Sequence, residues 1–340
     1  MQWTVQVAHS DHRFPCSSNE TILEAAQRAG LEIPYSCRKG VCITCQGKVS
    51  AGSIESSGTV RSAEKDGTFD ALFCASRPRS DVTIAPRRVS RPLGMGQPRE
   101  VTARVFRKQL VAPGVTQLHL RFPIGQRVAF KAGQYMDVLL PGGERRSYSM
   151  ANSPAEADGV QMHVRMHPGG AFSDAVLAGL QPGDALRLKM PYGEVEPDGR
   201  DPRPLLLLAT GTGFAPVASI LEEAVRRRWA RPLILYRGGR QPDDLYLPEF
   251  PARWARRLRD FRYVPVLSQP DPSWTGRTGR VPAAAATDYP VMSGLQVYAS
   301  GSPAMVASAR ESFTKLHGLP EADFFADAFI PSTQAGAEAA

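Results

Sequence analysis

The chain has 340 residues, 42% of them hydrophobic and 22% charged, a length and composition that suit a globular protein of two or three cored domains. Its 41 Lys and Arg exceed its 33 Asp and Glu by a net charge of +8, but no dense basic stripe with interleaved aromatics marks a nucleic-acid binder. No apolar run approaches the ~18 residues of a membrane span, the N-terminus lacks the basic and apolar regions of a signal peptide, and five cysteines are too few for a disulfide scaffold.

In chain order, alternation in Trp3-Thr4-Val5-Gln6-Val7 predicts a β-hairpin over 3–8 and 13–14. Asn19-Glu20-Thr21 opens a helix from Ile22 to Ala29, which Gly30 stops. Pro34 leads into Tyr-Ser-Cys-Arg-Lys-Gly-Val-Cys-Ile-Thr-Cys at 35–45. There Cys37, Cys42 and Cys45 stand at C-x4-C-x2-C spacing, and Cys74 follows at a distance, the plant-type [2Fe–2S] pattern. Two irons bridged by sulfide need four thiolates, two per iron. A tight loop delivers three of them, with Gly40 letting the backbone pass close, and Leu72-Phe73-Cys74 supplies the fourth. Structural zinc usually shows two short cysteine or histidine pairs, and only one is present here. Cys16 is left over as a buried or free thiol. Cys45–Val49 and Val82–Ile84 complete a small, mostly β module. It is balanced at nine basic and nine acidic residues over 1–85, although Arg38, Lys39, Arg77 and Arg79 flank the cysteines. Thiolate ligands favour a reducing compartment, hence a cytoplasmic protein.

Residues 87–100, rich in Pro, Gly and Arg, read as a linker. Short alternating strands follow at 101–107, 115–122, 134–140, 146–151, 160–166 and 185–190, separated by turns such as Pro141-Gly142-Gly143. They predict a six-stranded antiparallel barrel, interrupted by one helix from Ala171 to Gly179. After Pro204 the pattern becomes α/β. An apolar strand, Leu205 to Ala209, precedes a helix to about Arg228. Strands 233–236, 262–267 and 295–299 then alternate with helices 248–258 and 303–316, which specifies a doubly wound parallel sheet. The tail from Ser332 reads as frayed. The domains are thus 1–86, 101–200 and 201–340.

Three motifs stand at chemically useful places. In Arg146-Ser147-Tyr148-Ser149, strand alternation throws Arg146 and Tyr148 to one face and the serines to the other, and a guanidinium suits a pyrophosphate. In His167-Pro168-Gly169-Gly170-Ala171-Phe172-Ser173, a glycine-rich helix start offers backbone N–H groups to an anion. Thr210-Gly211-Thr212-Gly213-Phe214-Ala215-Pro216 lies between a buried strand and a helix, where doubly wound domains bind nucleotides. Arg237 and Arg240 follow the next strand, near the expected adenosine ribose, and two arginines there would suit a 2′-phosphate. The histidines His119, His163 and His167 are scattered and read as structural, with His163 also counted among the cofactor-binding residues of its barrel strand.

The first module resembles the β-grasp fold of plant-type ferredoxins, departing at Ile43 where that family often has glycine. The rest resembles the ferredoxin-reductase flavoproteins, through R-x-Y-S at 146–149 and G-T-G-x-A-P at 211–216. Ser300-Gly301-Ser302-Pro303 stands where the family has Cys-Gly-x-Pro beside the nicotinamide, and Phe325-Ala-Asp-Ala-Phe329 resembles its terminal strand. The whole chain is similar to NADH-dependent reductases that fuse the three modules, notably reductase components of Rieske aromatic-ring dioxygenases of the terephthalate type. The CDP-6-deoxy-3,4-glucoseen reductases share the domain order. The resemblance implies FAD, a [2Fe–2S] cluster and NADH. By the same resemblance Tyr148 is expected to pack on the flavin, Ser149 to lie near its N5, Ser300 to stand by the nicotinamide, and Phe329 to cover the flavin. It implies an oxidoreductase, a monomer, that relays electrons to a terminal Rieske oxygenase acting on an aromatic acid such as terephthalate. The alternatives are a deoxysugar-dehydratase reductase and a non-enzymatic ferredoxin electron carrier, against which the intact Arg146, Tyr148, Gly211 and Gly213 count. Nicotinamide gives two electrons together and the cluster holds one, so the flavin must release electrons singly.

Overall fold

A computed structural model describes residues 1–89, 98–193 and 197–329. Most of the linker expected at 87–100, and the whole tail from Ser332, lie outside these residues. The described residues form two compact units, one of residues 1–89 and one of residues 98–192 and 197–329.

The first unit is a five-stranded mixed sheet in the order Arg13–Ser17, Gln2–Val7, Val82–Pro86, Gln46–Ala51, Phe69–Leu72. Gln2–Val7 and Val82–Pro86 run parallel and the other neighbours antiparallel. The helix Ile22–Arg28 starts at a capping box: Thr21 Oγ1 accepts from Glu24 N while the Glu24 carboxylate accepts from Thr21 N. Its apolar side, Ile22, Leu23, Ala25 and Ala26, packs into a core with Val5, Phe14, Val49, Phe73 and Ile84. A three-stranded sheet of Thr59–Ser62, Ser53–Ser56 and Ser76–Pro78 completes the unit. Its short polar strands carry too little alternation to be legible beforehand.

The second unit begins with the six antiparallel strands foreseen. Their order is Arg145–Ser149, Tyr135–Leu139, Ala185–Tyr192, Arg99–Ala112, Val115–Arg121, Gly159–Arg165. Ala151 N, just past one edge strand, donates to Gln161 O on the other edge at 2.8 Å, which curls the sheet into a barrel. Val101, Ala103, Val105, Leu118, Leu120, Met136, Val138, Met162 and Leu188 fill its interior, each large side chain contributing roughly 1.5–3 kcal/mol by burial.

The helix expected from Ala171 to Gly179 is absent. That segment is a run of turns. The bonds Ala175 N to Gly170 O (3.1 Å) and Leu177 N to Phe172 O (2.7 Å) span five residues, wider than an α-helical turn. Phe172 is fully buried in the barrel core. Lys108 Nζ takes the carbonyls of Leu177, Ala178 and Leu180, acceptors that a continuing helix would have used.

Six parallel strands follow, in the order Arg277–Thr278, Phe261–Leu267, Leu233–Gly239, Leu205–Thr210, Gln296–Gly301, Phe324–Ala328. Helices Phe214–Arg227 and Glu249–Ala255 pack together, as do Val281–Asp288 and Pro303–Lys315. Right-handed crossovers put the two pairs on opposite faces. The sequence proceeds outward in both directions from Leu205–Thr210, so the crevice beyond its C-terminal end is a topological switch point.

Candidate functional site

In the first unit, strand pairing brings the fourth cysteine to the other three. Gln46 sits opposite Leu72, and Phe73 N donates to Cys45 O at 3.2 Å, so Cys74 arrives beside Cys45. The cysteine loop turns through left-handed backbone at Arg38, Gly40 and Ile43, with φ of 54°, 75° and 50°. Glycine bears this freely. Ile43, a β-branched residue, bears it under strain, so the position where glycine was expected takes up left-handed backbone without one.

The sulfurs stand as two pairs. Cys37 Sγ accepts from Cys42 N at 3.3 Å and from Lys39 N at 3.4 Å. The hydrogen bond from the Cys42 thiol, with these backbone donors, draws Cys37 down to about 7. The Cys45 thiol likewise lowers Cys74, which the Gly40 N–H also faces. The same pairing, together with burial, raises Cys42 and Cys45. Among the described residues no three His, Cys, Asp or Glu side chains gather as one ion's ligand set. Two pairs of thiols fit a two-iron unit taking two thiolates per iron. Cys16 stands apart, fully buried and pushed up to about 12 by desolvation, an inert thiol.

In the second unit, pairing of Met136 with Tyr148 and of Val138 with Arg146 sets the flavin motif on the barrel edge. Arg146 and Tyr148 are half-buried. The Tyr148 ring leans on Phe172 with centroids 5.3 Å apart, so Phe172 backs the tyrosine from within the core. Ser147 Oγ donates to Asp137 at 2.7 Å. Arg146 bonds Glu144 at 2.8 Å, yet its Nε is buried without a partner. At the turn run, a Cβ on Gly170 would stand 2.3 Å from Ser173 Oγ and 2.9 Å from His167 O, so only glycine fits. Gly169, at φ 73°, donates its N–H to Asp174. The orphaned guanidinium nitrogen fits a flavin pyrophosphate, whereas the glycine N–H groups expected to cradle it are taken within the turn, Gly169 by Asp174 and Gly170 by His167 O.

At the switch point, two strand ends interlock. A Cβ on Gly213 would be 2.3 Å from the Ser300 carbonyl oxygen, and one on Gly301 2.1 Å from Thr210 Oγ1. Gly211, at φ 55°, begins a short 3-10 turn leading into helix Phe214–Arg227, whose first turn buries Pro216. Thr212 is half-buried beside it. Ser300 is fully buried with its Oγ unpartnered.

The register sets Ser300 opposite Asp327 and Gly301 opposite Ala328, and half-buried Phe329 donates its N–H to Gly301 O at 2.8 Å. Ser149 Oγ donates to Asp327 Oδ2 at 3.1 Å. Thus Ser149, Ser300 and Phe329, from three distant stretches, converge around Asp327. The sequence reading saw Asp327 only as part of an apolar terminal strand. An acid two residues before the terminal aromatic was the available signal.

Of the two arginines after the second parallel strand, one is placed otherwise than expected. Arg237 is 1% exposed, stacked on Phe214 and Tyr246, and cannot present itself to a 2′-phosphate. Arg240 is exposed, and its backbone N–H is capped by Asp244. Arg165, which the sequence reading did not single out, stands beside Gly211 and pairs loosely with Asp244 at 3.7 Å.

His163 lies within the unit, 3% exposed, between Gln117 (3.3 Å) and the Tyr246 hydroxyl (3.0 Å), which in turn reaches Gly211 O at 3.5 Å. It joins barrel to nucleotide loop. Desolvation, with help from Arg237, lowers it to about 3. The unfolded chain protonates this histidine near pH 6.5, the folded chain only near 3, so between those values the unfolded state binds the extra proton. Stability contributed by neutral His163 is therefore full above about pH 6.5 and falls with acid by up to about 1.4 kcal/mol per pH unit. Denaturant titrations of His163→Gln should show this slope reduced by one proton. An unchanged slope would mean that the histidine is not held neutral.

Residues 5–79 match the 2Fe-2S iron-sulfur cluster binding domain, 102–196 the oxidoreductase FAD-binding domain and 207–311 the oxidoreductase NAD-binding domain. The chain is 39% identical over 331 residues to the reductase component 2 of terephthalate 1,2-dioxygenase from Comamonas sp, covering 97% of this chain and 98% of that one. It is 34% identical to the CDP-6-deoxy-L-threo-D-glycero-4-hexulose-3-dehydrase reductase of Yersinia pseudotuberculosis, covering 98% and 100%. Among solved structures, the Amycolatopsis cytochrome P450 reductase GcoB superposes with a TM-score of 0.78 at 33% identity, covering 97% and 99%.

Proposed function

Since the chain belongs to the family of fused iron–sulfur flavoprotein reductases that includes these dioxygenase and dehydrase reductases, we propose that it carries electrons from NADH through FAD and a [2Fe–2S] cluster to a terminal Rieske oxygenase acting on an aromatic acid such as terephthalate. We assign residues 1–86 to the cluster domain, 87–100 to a linker, 101–200 to the flavin barrel and 201–340 to the nucleotide domain. The bound groups supply the electron chemistry: FAD accepts a two-electron hydride and gives electrons up singly, and the cluster carries one at a time.

The chain's own residues bind and orient. Cys37, Cys42, Cys45 and Cys74 hold the cluster. Arg146 takes the flavin pyrophosphate, and Tyr148 braces the ring system. Thr210, Gly211, Thr212, Gly213 and Gly301 receive the dinucleotide. The observation that supports this reading best is the Ser149–Asp327 bond beside Ser300 and Phe329. It joins the flavin strand to the nucleotide sheet at the point where hydride donor and acceptor must meet. Phe329 shields that point from water until nicotinamide enters.

Among the described residues no helix is long and apolar enough to cross a membrane. We place the protein in the cytoplasm, because thiolates such as the half-exposed Cys37 favour a reducing compartment, and we take it to act as a monomer. Reconstitution with a purified Rieske oxygenase component, NADH and terephthalate tests the acceptor. NADH-dependent dihydroxylation is expected. Electron delivery to a sugar dehydratase or a cytochrome P450 but not to the Rieske protein would replace this reading.

The basic rim of the cluster domain is the candidate docking face. Arg79 is committed to Glu55 and to Ser18 O, and Arg38 to Glu24 and the Tyr35 ring, so Lys39 and Arg77, both exposed, the latter held only by a long bond from Nε to Asn19 O at 3.4 Å, are best placed to meet an acidic partner. Lys39→Glu with Arg77→Glu should slow oxygenase-coupled turnover about tenfold at low salt, converging on the parent at high salt. Ferricyanide reduction should hold. If both activities fall together, the residues are structural, and if neither changes, docking lies elsewhere.

A further inference from the structure

We propose that Arg237 is a buried affinity determinant for the dinucleotide's diphosphate, a fixed positive charge beneath the nucleotide loop that strengthens binding without touching the ligand. The inference rests on the NADH reading and says how this chain's own residues tune that site.

Arg237 pairs in register with Ala209, the last residue before the Thr210–Gly213 loop. Its guanidinium carbon lies 3.6 Å from the centroid of Phe214, the residue that opens helix Phe214–Arg227, and 4.7 Å from that of Tyr246. Tyr246 in turn reaches the Gly211 carbonyl. The cation therefore sits directly under the first turn of a 14-residue helix and under the tyrosine that touches the loop.

Its buried terminal nitrogens, Nη1 and Nη2, have only the Tyr263 phenol, a neutral group, as a side-chain hydrogen-bonding neighbour. The Tyr263 and Tyr246 phenols are the polar groups that act on it most, and the Glu249 carboxylate acts least. Arginine does not deprotonate in this setting, so the charge is retained.

The two aromatic faces offset part of its desolvation. A buried cation without a counter-ion is nonetheless expensive, and an apolar side chain of similar size usually serves packing as well or better. What such a side chain cannot supply is positive potential at a helix N-terminus, where dipole and exposed N–H groups already favour an anion. Through protein rather than water that potential is weakly screened. A diphosphate seated on the loop is the counter-ion that Arg237 lacks.

The test compares Arg237→Met with the parent holoenzyme, using ADP and adenosine as competitors of NADH. The variant is expected to melt at the same temperature or higher. Its inhibition constant for ADP and its KM for NADH should rise about tenfold, the size of one charge acting through protein, with kcat at saturating NADH little changed. Adenosine, which has no phosphate, should bind as before, and the ADP ratio should persist in high salt. Arg237→Lys should recover most of the ADP affinity, which keeps the test open if the methionine variant folds poorly. Equal weakening of ADP and adenosine, or no weakening of either, would overturn the proposal. A parent enzyme that NADH does not reduce would instead refute the NADH reading itself.

Discussion

Cys74→Ser is expected to remove the cluster's visible absorbance and its paramagnetic signal after reduction, while leaving the flavin bound. Cys74 is the ligand that the cysteine loop cannot supply. It is delivered by the Phe73 N to Cys45 O bond, and its sulfur pairs with that of Cys45. Loss of a primary ligand should exceed the 10- to 100-fold cost typical of disturbing a metal site's supporting groups. NADH-driven reduction of cytochrome c through the cluster should therefore fall more than about 100-fold. Ferricyanide, which can draw electrons from the flavin, should still be reduced at close to the parental rate. Cys16→Ser is the control, since that thiol is buried among the carbonyls of Ser17, Glu20 and Thr21 and should change neither activity. Retention of the cluster in Cys74→Ser would show that the fourth ligand had been misassigned.

Gly213→Ala is expected to be the most damaging single methyl group in the second unit. The added Cβ would lie 2.3 Å from Ser300 O, 2.4 Å from Ser300 C and 2.6 Å from Gly301 N. All three are backbone atoms, which no side-chain rotation can relieve. The nucleotide loop and the strand end carrying Ser300 must then move apart, and a displacement of about 1 Å at a reacting centre can cost about 100-fold in rate. Flavin reduction by NADH should fall by that order, whereas dithionite should still reduce flavin and cluster fully. A loss of less than about threefold would mean that the close packing of loop and strand does not position the nicotinamide.

What the sequence disclosed follows from how local each signal is. The cysteine spacing is a property of nine consecutive residues plus one outlier, and the loop at 210–216 is contiguous with a wholly apolar strand and a helix. Both were legible because their chemistry is written in short range. The barrel strands were legible because each has one face in a common core, so alternation survives in Val101, Ala103 and Val105.

The helix expected at 171–179 failed for the opposite reason. Phe172 is drawn into the barrel under Tyr148, and Lys108, more than sixty residues earlier, captures the carbonyls at its end. Neither contact is visible in the local pattern. Asp327 was hidden in the same way, because its meaning lies in a bond to Ser149, 178 positions away in the chain. Arg237 reads, with Arg240, as an arginine near the adenosine ribose because both follow the strand that ends at Tyr236. Only the register with Ala209 and the stack on Phe214 show it turned inward. The alanine-rich helix Val281–Asp288 escaped notice because it has no amphipathic stripe to mark it.

The central claim, that one chain moves electrons from NADH through flavin to iron and sulfide, is tested most directly by anaerobic titration of the purified holoprotein with NADH, followed by visible absorbance and electron paramagnetic resonance. Two electrons for the flavin and one for the cluster require about 1.5 NADH per chain for full reduction, and the reduced cluster should integrate to about one spin per chain. A flavin that bleaches while the cluster stays oxidised, or a protein that NADH fails to bleach at all, would contradict the account.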